Sequence, residues 1–155
     1  MTVYYQFGSK IGLLEALSDD LAARGEMERL PEAFQQPDPL DALMLLIALF
    51  ARFWASDQLV TRRLRGLATV DPDFEHVIRG RDERRRTGLL VIVGRLSERH
   101  GAPAPEDVER VVDILHTLTS FETFDTLAGA GRNPEDVVPQ IQQLARAALE
   151  MEVGG

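Results

Sequence analysis

Apolar residues recur along most of this chain at spacings of three and four, the period of an α-helix with one buried face. Period-two alternation, the pattern of a half-buried strand, does not occur, so we predict no strands. An all-α fold is therefore expected. Its predicted helices, with bounds good to about 2 to 4 residues, are 9–29, 39–55, 57–69, 72–99, 105–128 and 134–151.

Four prolines mark predicted helix starts. They stand in the pairs Asp38-Pro39, Asp71-Pro72, Ala104-Pro105 and Asn133-Pro134. Proline at the first helical position gives up an amide proton that has no partner there, and Asp or Asn before it accepts hydrogen bonds from the next free amides. We therefore expect a helix to begin at each pair.

The segment 39–55 is apolar on nearly every side. Its longest unbroken apolar run, 42–51, is bounded by Asp41 and Arg52, and it is shorter than the roughly 20 residues that a membrane span requires. The pattern predicts a core helix wrapped by the others, and no membrane partner.

Composition narrows the function classes. A chain of 155 residues with 45% hydrophobic content can bury the core of one domain. Its formal net charge of -8 opposes binding to a phosphate backbone, except where positive charge is locally concentrated. The sequence has no cysteine and opens without a basic and apolar leader, so we expect a cytoplasmic protein.

The most informative motif lies at the start of the chain. It reads Thr2-Val3-Tyr4-Tyr5-Gln6-Phe7-Gly8-Ser9-Lys10 and continues as Ile11-Gly12-Leu13-Leu14-Glu15-Ala16-Leu17. Gly8 can end one helix and Ser9 can cap the next for about 1 kcal/mol. The motif resembles the junction between the recognition helix and the following helix in TetR (tetracycline repressor)-type transcriptional regulators.

The resemblance implies a DNA-facing side made by Thr2, Tyr4, Tyr5 and Gln6, with Lys10 clamping a phosphate at the next helix N-terminus. Gln6 departs from the histidine common at its position in the family, although an amide can still donate to phosphate. The alternative is that the aromatic residues of this segment form only an apolar plug.

A helix-turn-helix needs a supporting helix before the recognition helix, and the sequence begins inside the latter. The resemblance therefore implies the end of a recognition helix at 1–8 and a ligand-sensing and dimerisation domain at 9–155. Two expectations follow: either the gene product extends upstream of Met1, or the protein is a remnant that senses or dimerises without binding DNA.

The last two predicted helices have broad apolar faces joined by a short Gly-rich connection, as in a helical hairpin. Two such hairpins can form a four-helix bundle between subunits, and the resemblance, which includes the stretch 118–125, implies a homodimer of this kind. The alternative is that these faces are internal core. The predicted interface residues are Val112, Val137, Ile141, Leu144, Ala145 and Ala148.

The resemblance also implies an effector pocket beside the helix 39–55, for a small and largely apolar molecule of unknown identity. Such pockets are mostly apolar with a few fixed polar groups, and Glu122 is a further polar candidate. The alternative is plain core, to which an aromatic stripe at helical spacing belongs more often than to a pocket wall. The predicted pocket residues are Phe50, Phe53, Trp54, Leu90, Leu115, His116, Thr119 and Phe124.

Other chemistry has little support. Asp113 and His116 have metal-ligand spacing and Glu122 lies further along, but no second His is near. Catalytic sets and phosphate loops do not stand out, so we expect no enzyme activity, cofactor or metal. The main rival to a regulator is a free-standing helical binding or interaction protein, and behind it a helical enzyme that uses Asp113 and His116.

Five arginines lie close together in the predicted helix 72–99. Because Glu75, Asp82 and Glu83 are interleaved with them, we interpret the cluster as a solvated, salt-bridged helix face rather than a second nucleic-acid site. Glycines 80, 88 and 94 in the same helix indicate either close helix crossings or a flexible stretch. The arginines are Arg79, Arg81, Arg84, Arg85 and Arg86.

Overall fold

A computed structural model describes residues 9–150, and within that range the chain is all-α, without strands. Short 3-10 turns at Met27–Arg29, Pro105–Asp107 and Pro134–Val137 lead into three of the helices. The α-helices are α1 Lys10–Arg24, α2 Leu30–Phe34, α3 Pro39–Ser56, α4 Gln58–Ala68, α5 Pro72–His100, α6 Val108–Leu118, α7 Phe121–Ala128 and α8 Val138–Glu150.

The predicted starts are confirmed, and most are capped as expected. Asp38 accepts from the amide of Leu40 at 2.9 Å and Asp71 from that of Asp73 at 2.9 Å. Asn133 forms a capping box with Asp136 at the turn before α8. Ser9 accepts from the amide of Gly12 at 2.9 Å and so caps α1.

The predicted helix 9–29 ends early. The chain leaves α1 at Gly25, and Glu26 has a φ of 60°. An added Cβ at Gly25 would lie 2.6 Å from Cδ2 and 2.8 Å from Cα of Phe53. Glycine is needed here because the end of α1 touches the backbone of α3, and the turn that follows leads into α2, which the sequence pattern had not indicated.

The predicted helix 105–128 is also interrupted. The Thr119 amide closes α6 by donating to the Leu115 carbonyl at 2.9 Å. The Ser120 hydroxyl then accepts from the Thr123 amide at 3.2 Å and donates to the Thr117 carbonyl at 2.8 Å. A serine cap therefore starts a new helix, α7, although the apolar period continues through the break.

Helix α3 lies at the centre of the main core and contacts α1, α2, α5, α7 and α8. By length and composition alone it could cross a membrane, but half of its residues are buried by the rest of the chain. Leu43, Ile47 and Ala51 are fully covered. The prediction of a core helix wrapped by others is confirmed.

A smaller apolar cluster attaches α1. Leu14 and Leu21 from α1 pack with Leu64 of α4 and Val77 of α5, and Phe53 borders both this cluster and the main core. The fold thus has two apolar centres, and α1 belongs mainly to the smaller one.

The predicted dimer interface needs a correction. Helix α8 packs on α3 and α6 within the same chain, which covers its apolar face. Of the six predicted interface residues, Leu144 alone is exposed, at 45%. The other five residues belong to the protomer's own core, as in the alternative considered from the sequence. They are Val112, Val137, Ile141, Ala145 and Ala148.

Candidate functional site

A cavity of about 310 Å³ lies between the two apolar centres. Helices α1 to α5 all contribute to its wall. Most of the lining is apolar, and the polar side chains come mainly from α5. The apolar lining residues are Leu21, Ala22, Met27, Leu30, Phe34, Leu46, Phe50, Phe53, Trp54, Leu64 and Ile78.

Three of the eight predicted pocket residues line this cavity: Phe50, Phe53 and Trp54. The other five do not line it. Leu115 and Phe124 are fully buried in the main core, and Leu90 packs against that core. The remaining two, His116 and Thr119, lie behind the wall and bind residues that form it.

Trp54 connects the cavity to the break between α6 and α7. Its indole Nε1 donates to the Thr119 carbonyl at 2.9 Å. Its ring centroid lies 4.7 Å from that of Phe53 and 5.6 Å from that of Phe121, the latter in an edge-on arrangement. The ring orientation is therefore fixed from both sides, as expected for a buried indole with a satisfied donor.

Two cavity arginines are matched by carboxylates. Arg65 binds Glu122 through Nε at 2.6 Å and Asp82 through Nη2 at 2.9 Å, and its guanidinium lies 5.6 Å from the Trp54 ring centroid. Arg81 binds Glu15 at 2.6 Å and Asp19 at 2.8 Å. These ion pairs fix α4 on α5 and α1 on α5, respectively.

Arg85 is the charged residue of the wall that is most deeply buried, with 5% of its side chain exposed. Its Nη1 donates to the His116 carbonyl at 2.7 Å and to the Thr119 hydroxyl at 2.8 Å. Its Nη2 lies 3.6 Å from Asp82 Oδ1, and its buried Nε has no partner within residues 9–150. Burial lowers the pKa of Arg85 to about 10, against the opposing charge of Asp82.

The candidate metal residues are not gathered into one site. Asp113 binds Arg86 at 2.7 Å, Glu122 binds Arg65, and His116 Nε2 lies 2.9 Å from the Asp82 carbonyl. Burial, together with the charge of Arg85, lowers the pKa of His116. Among residues 9–150, no three His, Asp or Glu side chains are arranged to hold a metal ion.

Lys10 already has carboxylate partners. Its Nζ lies 2.5 Å from Asp71 and 3.4 Å from Asp73, at the start of α5, and 5.6 Å from the Phe74 ring centroid. Asp71 raises the pKa of Lys10 through this hydrogen bond. The other predicted DNA-facing residues, Thr2, Tyr4, Tyr5 and Gln6, lie outside the described residues.

The arginine cluster was interpreted as a solvated, salt-bridged helix face, and Arg85 departs from this because it is buried. Arg79, Arg81 and Arg86 each form ion pairs with neighbouring carboxylates. Arg81, Arg84 and Arg85 line the cavity, and Arg85 is the buried one of these three. Helical spacing could have indicated this, because Arg85 stands four residues before Leu89 and eight after Val77, on the buried stripe of α5.

The three glycines of α5 differ in their surroundings. A Cβ on Gly88 would lie 3.1 Å from Cζ of Phe34, so this glycine marks a close contact at the cavity wall. Gly80 and Gly94 have no such neighbour within 4 Å. Only the middle glycine thus marks a helix crossing.

No known protein family matches this chain, and no curated protein or solved structure does either.

Proposed function

We propose that this chain is the ligand-sensing and dimerising part of a TetR-type transcriptional repressor, controlled by a small and largely apolar ligand bound in the cavity. One observation carries the proposal: helix α1 begins directly after the segment 2–8 that resembles a DNA-reading helix, and the same helix lines the cavity with Ser18, Leu21 and Ala22. A ligand in the cavity would touch the element that holds the DNA-reading end.

The attachment of α1 supports a lever mechanism. Two apolar side chains, Leu14 and Leu21, bury it in the smaller cluster, and ion pairs from Arg81 and Lys10 fix it to α5. A ligand acts only through its difference in affinity between two states, and a tenfold change in DNA affinity requires about 1.4 kcal/mol of coupling. Ligand contacts that shift α1 against the main core would supply it.

Dimerisation is part of the proposal. Because five of the predicted interface residues are buried in the protomer's own core, the subunit contact is proposed on another face of α8. The outer face of α8 carries Gln140, Gln143, Leu144 and Ala147, all exposed. The family resemblance assigns subunit pairing to the last two helices, so we assign the contact to this face. Pairing there would fix the separation of two DNA-reading ends.

Light scattering of the purified chain tests this contact. We expect a dimer that Leu144→Arg converts to a monomer. The matched control is Leu59→Arg on α4, because Leu59 is 52% exposed and Leu144 is 45% exposed. A monomeric wild-type chain, or equal loss of the dimer in both variants, would remove the dimer from the proposal. Ala145→Arg is unsuitable because Ala145 is in the core.

DNA binding is tested on the full gene product. The gene is first read for an in-frame helix-turn-helix upstream of Met1. The full product is then used to select duplexes from a random DNA pool, and we expect a palindromic site with half-sites about one helical turn apart. The selected duplex should be released by a cavity ligand. Enrichment of no duplex would refute the regulator.

A free-standing helical small-molecule-binding protein is the second candidate. One observation favours it: the Lys10 ammonium, expected on a phosphate, binds Asp71 and Asp73. In this function the cavity binds its ligand and α1 has no DNA to move. Ligand binding with no duplex enriched would support it. Neither candidate function assigns catalysis to the chain.

A further inference from the structure

We infer that the cavity takes an apolar molecule bearing one carboxylate, and that Arg85 binds this carboxylate. The inference rests on the proposal that the cavity is a ligand site, and it adds the chemical class of the ligand. Three observations support it: the Arg85 guanidinium has unpaired donors within residues 9–150, its charge is only partly balanced, and the rest of the cavity wall is mostly apolar.

One edge of the Arg85 guanidinium has no hydrogen-bond partner. Nη1 is occupied by the His116 carbonyl and the Thr119 hydroxyl. Nε is buried with no partner within residues 9–150, and Nη2 has only the 3.6 Å contact to Asp82, longer than a hydrogen bond. The Nε and Nη2 donors form the side of the guanidinium that binds a planar carboxylate with two parallel hydrogen bonds.

Three other arginines of this chain use that edge for carboxylates. Arg29 binds Glu32 through Nε and Nη2, both at 3.2 Å. Arg62 binds Asp125 at 3.3 and 2.5 Å, and Arg65 binds Glu122 at 2.6 and 3.2 Å. Against these three, the buried Arg85 has the same edge without a carboxylate on it.

The charge balance around Arg85 is incomplete. Asp82 is the carboxylate nearest to it, and Asp82 already accepts from Arg65 at 3.2 and 2.9 Å. One carboxylate is thus shared by two cavity arginines. A buried charge is costly unless it is paired, and burial accordingly lowers the pKa of Arg85 to about 10. An incoming carboxylate would compensate this charge, whereas an incoming cation would add to it.

The rest of the wall selects an apolar body. Phe34, Phe50, Phe53 and Trp54 face the cavity together with leucines from four helices. A volume of about 310 Å³ holds about 10 groups of water size, at about 30 Å³ each. The ligand class is therefore a monocarboxylate with a short aliphatic or aromatic body.

Decanoate, decan-1-ol and decylammonium form a matched series of probes that differ in head-group charge. Trp54 is the chain's single tryptophan and lines the cavity, so its fluorescence reports binding at this site. Because hydrogen bonds to a charged partner are the strong ones, we expect decanoate to bind at least about tenfold more tightly than the alcohol. Decylammonium should bind most weakly.

Arg85→Gln tests the residue, since the amide keeps one donor for the His116 carbonyl and loses the charge. We expect this variant to bind decanoate no better than the alcohol. The matched control, Arg86→Gln, lies next to it, is paired with Asp113 outside the cavity wall and should keep the full preference. Circular dichroism checks that both variants fold; if Arg85→Gln does not, the wild-type series alone decides.

The outcomes separate this inference from the proposed function. If the alcohol or the ammonium binds as tightly as decanoate, or if Arg85→Gln keeps the preference, the carboxylate is overturned while the cavity remains a ligand site. If none of the three probes binds, the inference and the ligand-sensing proposal both fail. If decanoate binds but releases no selected DNA, the inference stands and the regulator fails.

Discussion

Replacing Gly25 with alanine is expected to weaken the fold at the junction of α1 and α3. The added Cβ would lie 2.6 Å from Cδ2 and 2.8 Å from Cα of Phe53. The second contact is with backbone, so a side-chain rotation alone does not relieve the overlap. Gly25 has a φ of -84°, which alanine adopts without strain, so the effect isolates the steric contact.

Overpacking of this kind costs about 1 to 3 kcal/mol. For a chain of this size, each kcal/mol lowers the melting temperature by about 2 to 4 °C, so we expect a fall of about 2 to 12 °C. Equilibrium unfolding in urea, followed by circular dichroism, measures the same loss as free energy. Phe53 also lines the cavity, so probe binding should weaken in parallel.

Gly80→Ala is the matched control. Gly80 lies inside α5, and apart from its own helix backbone no heavy atom lies within 4 Å of the added Cβ. Alanine is the better helix former by up to about 1 kcal/mol, so the same chemical change should stabilise the protein there. If Gly25→Ala is as stable as the wild type, α1 and α3 do not come into this close contact. The position assigned to Phe53 in the cavity wall would then be wrong.

Two further predictions concern the break between α6 and α7. Thr119→Val removes the hydroxyl that accepts from Arg85 at 2.8 Å and should lower the free energy of unfolding in urea by about 1 to 3 kcal/mol. The control is Thr117→Val at an exposed position, which should change stability by less than about 0.5 kcal/mol. Equal effects of the two variants would contradict the role of Thr119. In the folded chain the pKa of His116 lies below its ordinary value of about 6.5. Between these two pKa values the unfolded chain binds more protons than the folded chain. The free energy of unfolding should therefore fall as the pH drops from about 6.5 toward the folded pKa. His116→Asn should flatten this fall, and an unchanged pH profile would refute it.

Helix starts were predictable because their chemistry is local. Asp38, Asp71 and Asn133 each cap a proline-started helix or turn through a side chain within a few residues. No distant contact is needed for these signals, so sequence alone carries them. The central helix was predictable for a related reason, since an all-round apolar segment has to be buried.

The helix breaks were not predictable from hydrophobic period. At Thr119 and Ser120 the apolar stripe runs on through the break, and the serine cap competes with a continuing helix. At Gly25 the deciding contact is with Phe53, a residue distant in sequence. Both breaks shape the cavity wall, because one receives the hydrogen bonds of Arg85 and Trp54 and the other places Gly25 against Phe53.

The division between core and surface was the weakest part of the sequence prediction. Ala145 and Ala148 have the small side chains of a subunit contact and equally those of a close packing within one chain. Arg85 was grouped with solvated arginines by composition, although its position on the α5 stripe places it inside. Residue type alone led to the wrong assignment of the two alanines and of Arg85. For Arg85, its position on the helix would have given the correct assignment.

The energetics of the two apolar centres identify the part of the fold that a ligand could move. Leu14 and Leu21 are the buried apolar side chains of α1, worth about 3 to 6 kcal/mol together at about 1.5 to 3 kcal/mol each. A ligand at a hundred times its Kd stabilises the state it binds by about 2.7 kcal/mol. That free energy is comparable with the burial free energy that attaches α1. It is small beside the burial free energy of α3, whose buried residues fill the main core. Because the cavity lies between these centres, a ligand there would act on α1 and leave the main core in place.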